Sequence, residues 1–194
     1  MANSDAAYGF RPVQVKGGGT PQENVFAPQG YSIASGYGST IALGDPVGQT
    51  GTSDADGRPG IQLVSTPGVI RGVFAGVSYV DANGEQQFRT SWTASTVATN
   101  IIAFVWDDPD IIFSIQADED IVAGDFNNKV DYIHATSVNG VSRVELDSSN
   151  IGTGDALKIL ARDDSVSPNN LGENFTKVLV MIREHEMLST YTAA

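Results

Sequence analysis

The sequence predicts a mainly β protein: an antiparallel sandwich, jelly roll or small barrel with at most one or two short helices. Three observations predict this class. About ten short apolar segments recur along the 194 residues, separated by turn-forming residues. The 21 glycines and 8 prolines oppose long helices. No long run has the apolar spacing of an amphipathic helix.

The clearest strand covers residues 70–80, which are apolar on both predicted faces. Strict alternation would place Val77 on one face and Phe74 on the other. A strand of this kind must be covered on both sides. Gly72 and Gly76 indicate that another backbone or side chain approaches it closely.

The other strands follow from the same pattern of apolar segments between turns. Residues 85–92 return from the Asn-Gly turn at 83–84 and pair with the preceding strand. Residues 101–106 and 111–116 form a second candidate pair around the acidic turn at 107–110. Further short strands are predicted at 40–43, 61–64, 141–146, 157–161 and 177–183. The best helix candidate is 118–127, with Asp118 or Asp120 as its N-cap.

Residues 1–30 predict an extended N-terminal arm in front of a single β-rich domain of residues 31–194. Three consecutive glycines at 17–19 and three prolines oppose regular structure in this segment. Its apolar side chains either pack back on their own domain or dock onto a neighbour. These side chains are Tyr8, Phe10, Val13, Val15 and Phe26.

Charge and composition exclude several classes of partner. The 11 basic and 23 acidic residues give a net charge of −12, which disfavours binding to nucleic acid or to an anionic membrane. No apolar run approaches the length of a membrane span. The chain has no cysteine, so disulfides and cysteine-based metal sites are excluded.

No catalytic constellation emerges from the residue types that usually form one. The two histidines, His134 and His185, have no Gly-x-Ser-x-Gly elbow to accompany them. His185 lies between Glu184 and Glu186, a pattern typical of a surface ion pair. The sequence therefore predicts a protein that is not an enzyme and that carries no cofactor.

The acidic turns have two possible interpretations, a cation site or ordinary solvated turns. Residues 107–110 and 118–120 offer carboxylates that suit a hard cation such as Ca²⁺, or they form ordinary solvated turns. Residues 54–57 begin like a calcium loop but depart from the EF-hand pattern. Paired carboxylates also serve glycoside hydrolysis, a less favoured alternative. No metal ligand is assigned.

Four blocks of sequence resemble a family of tailed-bacteriophage virion proteins whose gene commonly accompanies the major capsid gene. The blocks are MANSDAAYGFRPV at the start, AFVWDDPDIIFSIQADED at 103–120, SRVELDSSNI at 142–151 and VLVMIREHE at 178–186. They occur in the same order and span nearly the whole chain. The resemblance implies a decoration (cement) protein that binds the outside of the capsid and contacts the major capsid protein.

A decoration protein of this kind would stabilise the shell by bridging neighbouring capsid subunits without covalent bonds. The charge of −12 favours the exterior of the virion, away from packaged DNA. A homo-oligomer would multiply weak contacts; we expect a trimer, with a dimer as runner-up. Candidate residues for contact with the capsid or another subunit are Tyr8, Phe10, Arg11 and Val13.

The main alternative is a host-recognition module, such as a fibre or spike head that binds surface glycans. It would share the β-rich fold and the oligomeric state, but it would display aromatic platforms in a groove. The major shell protein itself is disfavoured, because the usual tailed-phage shell fold carries a long helix.

Overall fold

The structure is a computed structural model that describes residues 2–23, 27 and 29–189. These residues form fourteen β-strands and one short α-helix, α1 (Glu186–Ser189). All pairs between the strands are antiparallel. The predicted mainly β, antiparallel class is therefore confirmed. Among the described residues, no helix has the length and apolar character needed to cross a membrane.

The strands form two five-stranded sheets and two short ribbons. The first sheet has the order β1-β9-β14-β13-β10, and the second contains β4-β3-β5-β6 with β8 also on β5. The ribbons are β2–β7 and β11–β12. In chain order the strands are β1 (Arg11–Val15), β2 (Ile41–Ala42), β3 (Pro46–Ser53), β4 (Pro59–Leu63), β5 (Gly72–Val80), β6 (Gln86–Arg89), β7 (Ser91–Trp92), β8 (Thr99–Trp106), β9 (Ile111–Gln116), β10 (Lys129–Val130), β11 (Tyr132–Ile133), β12 (Glu145–Leu146), β13 (Leu157–Arg162) and β14 (Lys177–Ile182).

Each large sheet covers its own hydrophobic cluster. The cluster of the first sheet includes Phe113 of β9, Val180 of β14 and Tyr132 of β11. The cluster of the second sheet includes Phe74 of β5 and the fully buried Trp92. Removal of this apolar surface from water is the main force that holds the sheets to the segments packed beneath them.

Strand β5 contributes to both clusters, as its two apolar faces predicted. Val73 packs in the first cluster, whereas Phe74 and Val77 pack in the second. Strict alternation would have placed Phe74 and Val77 on opposite faces. That placement is wrong, because a β-bulge between Phe74 and Gly76 inserts an extra residue and reverses the side-chain alternation.

The predicted close approaches at the two glycines of β5 are present. A Cβ atom on Gly72 would lie 2.4 Å from the carbonyl oxygen of Trp106, and one on Gly76 would lie 3.1 Å from that of Arg89. Gly76 also has φ of +144°, which suits glycine at the bulge. The partners are neighbouring strands of the same sheet.

The predicted pairing of residues 101–106 with 111–116 is wrong. Strand β8 pairs with β5 in the second sheet, while β9 pairs with β1 and β14 in the first. The acidic turn at 107–110 therefore carries the chain from one sheet to the other. The sequence does not distinguish a hairpin from a crossover of this length, because the partners of β8 and β9 lie far away in the chain.

The predicted helix at 118–127 is also wrong. Only Ala123–Asp125 forms a single 3₁₀ turn. Asp118 accepts a hydrogen bond from the Ser148 amide at 2.9 Å instead of capping a helix, and Asp120 makes a β-bridge to Asn174. Long-range pairing has overridden the weak local helical tendency of this segment.

Within the predicted arm of residues 1–30, the described residues 3–15 pack against the domain predicted for residues 31–194. β1 is an edge strand of the first sheet, and Phe10 is only 1% exposed in its core. The preceding residues cross the polar face of the same sheet: the Ala6 amide donates to Gln116 at 3.0 Å and Lys177 donates to the Ser4 carbonyl at 3.2 Å. Phe26 lies outside the described residues.

Candidate interaction surface

A groove of about 480 Å³ lies between the N-terminal segment and the end of β8. We call it the Trp106 groove. It is formed by separate parts of the chain, and its main lining side chains are Tyr8, Arg11, Pro12, Leu43, Trp106 and Val141. Its wall is mostly apolar and it is open to solvent.

Backbone hydrogen bonds hold the parts of this groove together. The Phe10 amide donates to the Gly44 carbonyl at 2.9 Å, and the Leu43 amide donates to the Gly140 carbonyl at 3.1 Å. A parallel bridge joins Leu43 to Val141. These contacts fix Leu43, Val141 and the residues before β1 relative to one another in the groove wall.

Three of the four contact candidates named from the sequence line the Trp106 groove. Tyr8 is half-buried, and Arg11 is exposed at the rim. Phe10 also borders the groove, but it is only 1% exposed because its ring packs edge-on against Phe113 and Tyr132 at centroid distances of 5.8 and 5.9 Å. Val13 is 43% exposed at the bulge of β1 but does not line the groove.

A buried hydroxyl chain fixes Tyr8 at the groove wall. Its phenol oxygen lies 2.7 Å from Oγ of Ser114, which donates to Oδ2 of Asp163 at 2.5 Å. Burial acts to raise the pKa of the Asp163 carboxyl. Hydrogen bonds from Ser114 and Ser165 outweigh that effect, so the pKa of Asp163 lies below its ordinary value. Asp163 is therefore a stable anionic acceptor.

A stripe of half-exposed side chains runs along the outward face of β8 from this groove. It comprises Ile102, Phe104 and Trp106, which alternate with buried residues of the second cluster. Trp106 also packs against the first cluster. At the far end of the stripe lies a second depression of about 590 Å³, which contains Ile102, Phe104 and the 73% exposed Phe88. We call this end the Phe88 face.

The two depressions differ in charge from the chain as a whole. Among their lining residues the only charged side chain is Arg11, although the protein carries a net charge of −12. Arg11 makes no ion pair with a described residue. Depletion of charge together with exposed aromatic residues is typical of the central part of a protein–protein interface.

Beneath the Trp106 end of the stripe, a buried polar cluster anchors the turn that follows β8. The Tyr31 hydroxyl donates to Oδ2 of Asp107 at 2.5 Å and accepts from Nε of Arg71 at 2.8 Å. Nη2 of Arg71 lies 3.9 Å from the same carboxylate oxygen. Burial, followed by the bond to Asp107, raises the pKa of Tyr31 well above its ordinary value, so the phenol stays protonated.

His185 is buried, not part of a surface ion pair as its neighbours in sequence indicated. Its side chain is 1% exposed, because the backbone on both sides of it pairs with Ile70: the Ile70 amide donates to the Glu184 carbonyl, and the Glu186 amide donates to the Ile70 carbonyl. Burial, assisted by the nearby positive charge of Arg71, lowers the pKa of His185 to about 4. The imidazole is therefore neutral at pH 7.

Several other titratable groups form structural pairs. Nε2 of His134 lies 3.7 Å from Oδ1 of Asp45. Arg58 contacts both Asp54 and Asp56, at 3.0 and 2.7 Å, in the loop that resembled a calcium site. Within residues 2–23, 27 and 29–189, no three His, Asp or Glu side chains converge in a way that could hold a metal ion.

Comparison with known proteins adds no family. No family model matches the chain, and no curated protein or solved structure matches it either. The proposed function therefore depends on the sequence resemblance and on the Trp106 groove and the Phe88 face.

Sequence reasoning missed the residues that complete the two surfaces. Leu43 and Val141 approach Trp106 only through long-range bridges, so no local pattern reveals them. A signal did exist for the stripe, because Ile102, Phe104 and Trp106 alternate along one strand. That pattern indicates a second apolar face but not whether another segment of the same chain covers it.

Proposed function

We propose that this protein decorates the outside of a tailed-bacteriophage capsid and stabilises it by bridging neighbouring capsid subunits. The observation that carries the proposal is the Trp106 groove: a mostly apolar groove without acidic residues on a strongly acidic chain, lined by contact residues named from the sequence. The family resemblance supplies the identity of the partner, the major capsid protein.

The physical mechanism is burial of apolar surface across the seam between capsid subunits. An apolar side chain of the shell that enters the groove would lose its contact with water against Trp106, Leu43 and Val141. Arg11 at the rim would pair with a carboxylate of the shell, which fixes orientation more than it adds affinity. Several such contacts from one oligomer then act together.

Co-sedimentation with empty, expanded heads of the phage that encodes the protein tests the proposal. The wild-type protein should pellet with the heads and raise the temperature at which they break. Val141→Asp places a charge on a 40% exposed groove residue and should weaken head binding at least tenfold. Val97→Asp, at a 69% exposed position outside both surfaces, is the matched control and should bind like the wild type.

Two outcomes would contradict the proposal. One is a purified protein that fails to bind heads but adsorbs to host cells, which would favour the host-recognition alternative. The other is equal loss of head binding in the Val141 and Val97 variants, since that would show that the groove has no special role.

A further inference from the structure

Strand β6 is an edge strand of four residues that has neither a proline nor a β-bulge. Among the described strands it pairs only with β5, and its other edge is open. Proteins commonly guard such edges with proline, bulges or several charges. Strand β1 has both Pro12 and a bulge. In β6 there is neither, and the outward-facing Phe88 is the most exposed of the large apolar side chains described.

The hydrogen-bonding groups of Phe88 point toward this open edge. The Asp81 amide donates to the Glu85 carbonyl at 3.0 Å, which marks these residues as a hydrogen-bonded pair. Bonded and non-bonded pairs alternate along an antiparallel ladder. Tyr79 and Gln87 therefore form the next bonded pair, and the Phe88 amide and carbonyl are directed away from β5.

We infer that a second copy of this chain pairs with β6, antiparallel, with Phe88 opposite Phe88 across a two-fold axis. This register places the free amide of each Phe88 opposite the free carbonyl of the other. Because the same residue lies opposite itself, the outward faces of both second sheets point to the same side. The Phe88 faces, including Ile102 and Phe104, then join into one surface without charged side chains.

Charge complementarity favours the second copy as occupant. In this register Arg89 of each chain lies opposite Gln87 of the other. Gln87 already accepts a hydrogen bond from Arg89 of its own chain at 3.0 Å, and it donates to Asp81 at 2.9 Å. Arg89 is the only charged residue of β6. In the dimer it therefore lies beside the hydrogen-bonded Gln87 and Asp81 side chains of the second copy. No like charges are brought together along the strand.

This dimer is independent of capsid binding and goes beyond it. It differs from the trimer expected from the sequence. Because the pairing uses the Phe88 face, the Trp106 groove of each copy stays open. A two-fold dimer would thus present two grooves, which is the minimum that a bridging protein needs.

The molar mass in solution, measured by light scattering after size exclusion, tests the inference. The wild-type protein should have twice the mass of the 20.4 kDa chain, and Phe88→Asp should have the mass of one chain with an unchanged circular dichroism spectrum. Val97→Asp, a matched exposed control, should remain dimeric. A wild-type mass of one or three chains would overturn the proposal, as would a dimer that persists in the Phe88 variant.

The absence of cysteine allows a second, geometric test. In Phe88→Cys the two sulfur atoms belong to directly opposed residues, whose Cα atoms would be about 5.5 Å apart and within disulfide reach. Mild oxidation should convert this variant almost completely to a covalent dimer. Val97→Cys, treated alike, should stay largely uncrosslinked. Equal crosslinking of the two variants would show random collision and overturn the inference, whatever the result with phage heads.

Discussion

The Tyr31 hydroxyl donates a hydrogen bond of 2.5 Å to the Asp107 carboxylate, and both side chains are completely buried. Tyr31 also makes backbone hydrogen bonds with Ala103 of β8, and Asp107 directly follows that strand. The contact therefore fixes the point at which the chain leaves the second sheet. Asp107 is also the chain neighbour of Trp106, so the contact anchors the end of β8 that lines the Trp106 groove.

Replacing Tyr31 with Phe should lower the free energy of unfolding by about 2–3 kcal/mol, because the buried Asp107 side chain loses a hydrogen-bond donor. Urea denaturation followed by fluorescence measures this difference. Tyr79→Phe is the matched control: it removes a hydroxyl from a half-exposed ring that packs edge-on against Trp92, and it should change stability little. A loss in the Tyr31 variant no larger than in the control would refute the structural role of the bond.

Acid should destabilise the protein through His185. Its pKa is about 4 in the folded chain against an ordinary value of 6.5, so the unfolded chain binds the proton more tightly. The stability that this group contributes is complete above pH 6.5 and is lost as the pH falls toward 4. Between pH 7 and pH 5 the loss amounts to about 2 kcal/mol.

Unfolding of His185→Asn at the same two pH values isolates this contribution. The Asn side chain can still accept the Met187 amide bond, which His185 accepts through Nδ1 at 3.2 Å, but it does not titrate. The variant should therefore show a smaller fall in stability between pH 7 and pH 5. Identical pH dependence in the two proteins would mean that His185 titrates normally.

Gly72→Ala should be strongly destabilising, because its Cβ would lie 2.4 Å from the Trp106 carbonyl oxygen. We expect a loss of about 2–4 kcal/mol from the forced separation of β5 and β8. Thermal unfolding measures it against Gly38→Ala, where no atom lies within 4 Å of the new Cβ. Similar melting temperatures for both variants would contradict the close approach of these strands.

Arg11→Glu should weaken binding to phage heads about tenfold, because the proposed contact between this rim residue and a carboxylate of the shell becomes repulsive. Lys16→Glu makes the same change in net charge at an exposed position that does not line the groove. Co-sedimentation with heads at fixed ionic strength compares the two. Equal weakening in both variants would assign the effect to overall charge and not to the groove.

Local patterns predicted much of the strand content but not the partners of the strands. Residues 86–89 of the predicted 85–92 strand pair with β5, to which an Asn-Gly turn joins them, whereas Ser91–Trp92 form β7 and pair with β2. The pairing of β8 with β9 was wrong, since each instead binds a strand far away in sequence. The same limit applies to the groove: Tyr8, Phe10 and Arg11 were named, but Leu43 and Val141 were not.

The sequence by itself determined the β-rich class, the acidic charge and the two apolar faces of β5, because these depend on residue type and on alternation along a single segment. Only the tertiary structure decided that Phe10 lies in a core, that His185 is buried and that Ile102 and Phe104 are half-exposed among the described residues. The physical reason is that burial depends on which distant segments meet. A side chain becomes core or surface only when another part of the chain does or does not pack against it.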